Sequence, residues 1–159
     1  MILVMLGTQN NSFERLLKEL DRLKEKKIIK EKIIVQAGHT KYESKNLEMF
    51  DFIDKDKIEE YQSQADLIIT HGGVGSIISS LKKDKKVIAV PRLKKYDEHV
   101  NDHQKDIVEN FSESGYIIGI NDVKDLEKAY KEIKKFKPKK YIPNNGKIIK
   151  IVEDFINLC

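Results

Sequence analysis

Between Thr70 and Ile77 the chain reads His71-Gly72-Gly73-Val74-Gly75-Ser76, where an apolar run gives way to a helical pattern. Glycine permits a sharp turn and lets backbone N–H groups come close to a bound group. The free N–H groups that open the next helix, with its dipole behind them, suit a phosphate. Ser76 adds a hydroxyl donor. The plain alternative is a tight strand-to-helix turn that binds nothing, and two adjacent glycines plus a third weigh against it. A Walker A loop needs Gly-x-x-x-x-Gly-Lys-Ser/Thr, which this segment does not supply. A dinucleotide fingerprint needs Gly-x-Gly-x-x-Gly, and Gly73-Val74-Gly75-Ser76-Ile77-Ile78 lacks the last glycine.

Other residues with chemistry to offer are Gly7-Thr8-Gln9, Gln36-Ala37-Gly38, Arg92, His99, Asn101, Asp102, His103 and Gln104. Arg92 can pair with phosphate or carboxylate, although an arginine just after a strand is ordinarily on the surface. His99 and His103 are four apart and would share a helix face, as metal ligands can. Val100-Asn101-Asp102 between them does not make His-Glu-x-x-His and no third ligand is evident, so no metal site is expected. His71 either orients the glycine loop, touches a ligand or caps the turn. His39 reads as a loop residue.

Short β-branched runs alternating with longer helical patterns must position these groups. Strands are expected at Ile2–Leu6, Lys32–Ala37, Met49–Ile53, Leu67–Thr70, Lys86–Val90 and Tyr116–Ile120. The first helix carries Phe13, Leu16, Leu17, Leu20 and Leu23, with Asn11 and Glu14 as a capping box. Further helices are expected at Ile58–Gln64, after Ser76, at His99–Phe111 and around Leu126–Ile133. A final amphipathic helix carries Ile148, Ile149, Val152, Phe155 and Ile156. Strands joined by crossover helices predict an α/β fold, a Rossmann-like parallel sheet with helices on both faces. Ligands of such folds lie outside the carboxyl ends of the strands. The segments at Gly7, Gln36 and His71, and the one after Pro91, all follow expected strands.

At 159 residues, 40% of them hydrophobic, the chain is expected to form one globular domain over residues 1–159. No apolar run approaches the roughly 20 residues of a membrane-spanning helix, and the first residues lack signal-peptide features. The one cysteine, Cys159, excludes an internal disulfide framework and fits a reducing compartment, so a cytoplasmic location is expected. Thirty Lys+Arg against 26 Asp+Glu give a net charge of +4, clustered at Lys24–Lys32, Lys82–Lys86 and Lys131–Lys140. Such runs are ordinarily solvated faces, and weak attraction to an anionic membrane surface is their functional reading. No basic stripe is interleaved with aromatics, which disfavours nucleic acid.

Taken jointly, His71-Gly-Gly-Val-Gly-Ser-Ile-Ile, Lys85-Lys-Val-Ile-Ala-Val-Pro-Arg92 and His99-x-x-x-His103-Gln104 resemble the C-terminal, donor-binding half of family 28 glycosyltransferases, which are GT-B enzymes. The likeness runs from Ile2 to about Ile120. Within the family the chain is most similar to small stand-alone subunits of two-part enzymes, both of the dolichol-linked N-acetylglucosaminyltransferase type and of bacterial capsule or exopolysaccharide synthesis. Val4-Met-Leu-Gly7-Thr8-Gln9 with Phe13-Glu-Arg15, Val35-Gln36-Ala-Gly38-His39, and Pro91-Arg-Leu-Lys-Lys-Tyr96 ahead of Glu98-His99 fit the bacterial branch. A glutamate that holds the donor ribose in full-length members is replaced here by Ser79 or Ser80.

The resemblance implies an inverting transfer from a UDP-sugar with no further cofactor and no metal. It implies that Gly72, Gly73, Gly75 and Ser76 cradle the diphosphate while Gly7, Thr8 and Gln9 line the opposite wall. Met49–Ile53 would meet the uracil through backbone groups. His71, Arg92, His99, His103 and Gln104 would join the donor site, Gln104 foremost. The catalytic base is not identified, and a membrane-attached partner subunit is expected to supply the acceptor side for a lipid-linked glycan. The protein would then sit on the inner membrane face through that partner, with the final helix and Cys159 as one docking element or, as the commoner arrangement, packed on its own sheet. Alternatives are a non-catalytic nucleotide-sugar-binding activator, a flavodoxin-like or dinucleotide-binding module sharing only the architecture, and a scaffold.

Overall fold

The computed structural model describes residues 1–143 and 146–158. Six strands form one parallel sheet: β1 (Ile2–Met5), β2 (Ile33–Gln36), β3 (Glu48–Phe50), β4 (Leu67–His71), β5 (Lys86–Val90) and β6 (Ile118–Gly119), in the spatial order β3-β2-β1-β4-β5-β6. Six α-helices accompany them: α1 (Glu14–Glu25), α2 (Lys55–Gln64), α3 (Val74–Leu81), α4 (His103–Glu113), α5 (Leu126–Ile133) and α6 (Gly146–Leu158). This is the expected α/β architecture, with the strand order of doubly wound nucleotide-binding sheets.

Side chains alternate across a strand, so each central strand feeds two cores. Ile2, Val4, Ile33, Val35, Ile69 and Ile88 face α1 and α5, where Leu16, Leu20, Leu126 and Tyr130 are buried. Leu3, Met5, Ile34, Ile68, Val87 and Ala89 face the other way, onto Ile77, Ile107, Phe111, Ile148 and Ile151. Burial on both faces explains why these strands read as continuous apolar runs. β2 reaches β3 through a loop with no helix, so α2 alone returns the chain from the sheet edge to β4.

Three local expectations are corrected. The capping box at Asn11 and Glu14 does not form: Phe13 precedes α1 with no side-chain cap, and its N–H donates to Thr40 Oγ1 at 3.0 Å. The expected helix at His99–Phe111 starts at His103, so His99 and His103 do not share a helix face. Local side chains hold that start: the Asn101 N–H donates to His99 Nδ1, and the His103 N–H to Asn101 Oδ1. Arg92 is not at the surface but 1% exposed.

The final helix α6 packs on the molecule's own core through Ile148 and Ile151, beside α4, and leaves Ile149 and Ile156 exposed. Cys159 and the Phe155 side chain lie outside the described residues. Among those residues no helix is long and apolar enough to cross a membrane.

Candidate donor site at the sheet switch point

From β1 the chain winds to β2 on one side, and from β4 to β5 on the other. The loops after these two adjacent strands therefore diverge and leave a crevice between them. The crevice opens as a cleft of about 430 Å³ at their carboxyl ends. The loop after β1 supplies Gly7, Thr8 and Gln9, while β4 ends in His71 and the loop after it, with the start of α3, supplies Gly73, Gly75 and Ser76. Gln36 at the end of β2 closes the back, and Phe52, Ile53 and Ile58 give an apolar end. Among the described residues, no Asp, Glu, Lys or Arg lines it, in a chain of which 35% is charged.

Several glycines are dictated by close packing. Gly7 has φ +77°, and a Cβ there would overlap His71 Nε2. A Cβ on Gly73 would overlap His71 Cε1, and one on Gly72 would lie 2.6 Å from Gln104 Cβ. Gly75 differs, because a Cβ there meets nothing within 4 Å. Val74, Gly75 and Ser76 form the first turn of α3, where backbone N–H groups have no partner within the helix. Their donors and the positive end of the helix dipole meet at the wall of the cleft.

His71 stands between the two loops. It is 8% exposed, its Nδ1 lies 3.3 Å from Gln104 Nε2, and its Nε2–Cε1 edge fits between Gly7 and Gly73. Burial, and then the nearby Arg92 charge, push its pKa down to about 4, so the ring is neutral at neutral pH. Gln36 Nε2 donates to Gly7 O at 3.1 Å and to Asp51 O at 3.3 Å, tying the loops after β1 and β3 together.

Behind the cleft lies a second polar layer. Arg92 donates through Nη2 to Leu6 O at 2.6 Å and through Nη1 to Asn11 O at 2.7 Å. Glu98, 2% exposed, accepts a bidentate pair from Arg15 at 2.9 Å and takes the Leu93 N–H. Arg15 is stacked 4.4 Å from the Tyr96 ring centre. These contacts fix the loop after β1 against the loop after β5.

The structure thus gathers Gly7, Thr8, Gln9, His71, Gly73, Gly75 and Ser76 around one cleft and places Gly72 directly behind. It places Arg92 and Gln104 in the layer beneath, where both are buried, and His99 and His103 in or beside the turn that opens α4. Ser79 and Ser80 both donate to Ser76 O and both face Gln62, whose Nε2 is 2.9 Å from Ser79 Oγ. Of Met49–Ile53, the side chains of Ile53 and Phe52 reach the cleft, and His39 packs edge-on against Phe52 at 5.1 Å. Gln36, singled out in the sequence with Ala37 and Gly38 after the second strand, lines the cleft, whereas reading the sequence missed Ile58 as a lining residue and the Arg15–Glu98 pair. Among the described residues, no group of three or more His, Cys, Asp or Glu is arranged to hold a metal ion.

Known proteins resemble this chain in sequence and in fold. Two curated relatives are named UDP-N-acetylglucosamine transferase subunit ALG13. That of Candida albicans is 31% identical over 86 residues, 54% of this chain and 28% of the relative. That of Candida glabrata is 41% identical over 56 residues, 35% of this chain and 26% of the relative. The matches therefore span little more than a quarter of those relatives. Among solved structures, UDP-GlcNAc 2-epimerase from Methanocaldococcus jannaschii superposes with a TM-score of 0.63 at 16% identity, over 98% of this chain and 45% of that one. An NMR structure of ALG13 superposes with a TM-score of 0.59 at 20% identity, over 99% of this chain and 93% of that one. These likenesses show the fold. The model of the glycosyltransferase family 28 C-terminal domain matches residues 1–158, and the chain belongs to that family.

Proposed function

We propose that this chain is the donor-binding, catalytic subunit of an inverting glycosyltransferase that takes its sugar from a UDP-sugar. The observation that carries this reading is the pairing of the α3 N-terminus with the neutral His71 in a cleft that no charged side chain lines among the described residues. The Val74, Gly75 and Ser76 N–H groups and the Ser76 hydroxyl hold the diphosphate. As the sugar departs, negative charge grows on the diphosphate, and donors already in place stabilise it without reorganisation. Phe52, Ile53 and Ile58 offer the apolar surface against which a nucleobase packs. The names of the relatives make UDP-N-acetylglucosamine the first donor to test, ahead of UDP-galactose and UDP-glucuronate.

The acceptor hydroxyl needs a base. The residues lining the cleft include no carboxylate, and His71 is too weakly basic near neutral pH. We assign the base and the acceptor site to a separate, membrane-attached partner subunit that presents a lipid-linked glycan, as in capsule or exopolysaccharide synthesis. This chain then works at the inner membrane face through that partner.

Calorimetric titration with UDP, ADP and NAD tests the donor assignment. UDP binding at least tenfold tighter than ADP or NAD supports it, whereas equal affinity for NAD overturns it in favour of a dinucleotide module. Co-purification of a membrane subunit that confers sugar transfer from the UDP-sugar separates a catalytic subunit from a non-catalytic activator. Transfer that survives Gly75→Val, where the cradle is blocked, would favour the activator.

A further inference from the structure

The hydrogen bonds around Gln104 fix more than packing. The Arg92 backbone N–H can only donate, and it meets the Gln104 carboxamide oxygen at 3.0 Å. The amide NH₂ is thereby turned toward His71 Nδ1, 3.3 Å away. That NH₂ has no lone pair to offer, so Nδ1 must accept, and a neutral imidazole then carries its proton on Nε2. The opposite tautomer would set two N–H groups against each other in a buried place, leaving both unsatisfied. Nε2 makes no hydrogen bond within the described residues and is not a fully buried orphan, so it opens on the cleft between Gly7 and Gly73. Gly72 completes the device, since any Cβ there would push Gln104 off the loop.

We propose that Gln104 is a positioning residue: anchored by the Arg92 N–H, its carboxamide locks His71 as the Nε2–H tautomer, so that His71 presents a donor, not a lone pair, to an anionic group in the cleft. The value of this to the site rests on the diphosphate reading above, but the tautomer itself does not. A lone pair facing a diphosphate oxygen would repel it, and the lock removes that state. The charged or titratable neighbours that bear on the ring are Arg92 from the loop after β5 and His99 from the turn before α4. Both oppose a second proton on His71, so the neutral donor persists over the physiological range.

The test is long-range ¹H–¹⁵N correlation spectroscopy of the whole chain labelled at histidine, without nucleotide. The expected spectrum at pH 7 has His71 in a single form, protonated at Nε2 and bare at Nδ1. Gln104→Met keeps the bulk and removes the amide. It is expected to give a mixture of tautomers and about tenfold weaker UDP-sugar binding, the size of one lost hydrogen bond to a charged group. Gln104→Glu offers Nδ1 an acceptor and is expected to place a proton there. A native spectrum with the proton on Nδ1 overturns the proposal without any variant having to fold. A Gln104→Met protein with its tautomer unchanged overturns it as well, since a purely structural glutamine would alter stability alone. If the native tautomer is as expected and no UDP-sugar binds, the positioning stands and the donor-site reading falls.

Discussion

In the inner half of the loop after β4, a Cβ on Gly72 or Gly73 would collide with Gln104 or His71, whereas in the outer half a Cβ on Gly75 would enter open space. Both halves are glycine, for opposite reasons. The inner glycines, with Gly7 across the crevice, let the protein close around its own histidine. The outer one keeps a helix N-terminus bare, and none of the described residues uses the room. Glycine within a helix costs about 0.5–1 kcal/mol relative to alanine, and at Gly75, inside the first turn of α3, packing repays none of that. The diphosphate proposed to bind there, which needs the N–H groups uncovered, would account for it.

The sharpest way to break this contrast is Gly7→Ala. Its φ of +77° and the overlap with His71 both oppose a side chain. A left-handed residue costs about 1–2 kcal/mol, and overpacking adds about 1–3 kcal/mol. Thermal unfolding should therefore fall by roughly 2–4 °C per kcal/mol for a chain of this size, with UDP affinity lost too. Gly73→Ala should behave in the same way through overlap alone. An unchanged melting temperature in either would show that the inner glycines are not structural.

A second prediction concerns His71, whose folded pKa of about 4 lies below the ordinary 6.5. The unfolded chain binds the extra proton first, so stability is intact above pH 6.5 and declines as pH falls from 6.5 to 4. The loss amounts to about 3 kcal/mol. A His71→Gln variant should lose this part of the acid sensitivity, measured by denaturant melts at several pH values. UDP-sugar binding by the native chain should be flat from pH 8 to pH 5.

Smaller effects belong to the outer half. Gly75→Ala should raise stability, by up to about 1 kcal/mol from helix propensity, while weakening UDP binding about tenfold, or about 1.4 kcal/mol. Few substitutions separate the two quantities in opposite directions. Ser76→Ala should leave the melting temperature within a degree or two and weaken UDP binding several-fold, as expected for one hydroxyl donor worth about 0.5–1.5 kcal/mol.

The sheet was legible because strands buried on both faces are written as local apolar runs: Ile2–Met5, Leu67–His71 and Lys86–Val90 lie within two residues of their expected bounds. The cleft was legible because glycine and polar residues follow those runs at the carboxyl edge. What stayed hidden depends on distant partners. Arg92 is buried because carbonyls of Leu6 and Asn11, more than eighty residues earlier, receive it, and no neighbour in sequence announces that. The division of the glycines between protein and ligand is likewise invisible in one dimension, since it depends on where His71 and Gln104 come to rest. The late start of α4 was misjudged because turn chemistry at Asn101 overrides helix periodicity.

The most direct test of the account is the UDP titration of Gly75→Val beside the native chain, with thermal melts of both. The account predicts that Gly75→Val folds with a melting temperature within a few degrees of native and no longer binds UDP. A folded Gly75→Val protein that binds UDP as the native chain does would contradict it, because the outer half of the loop would then not be where the diphosphate sits.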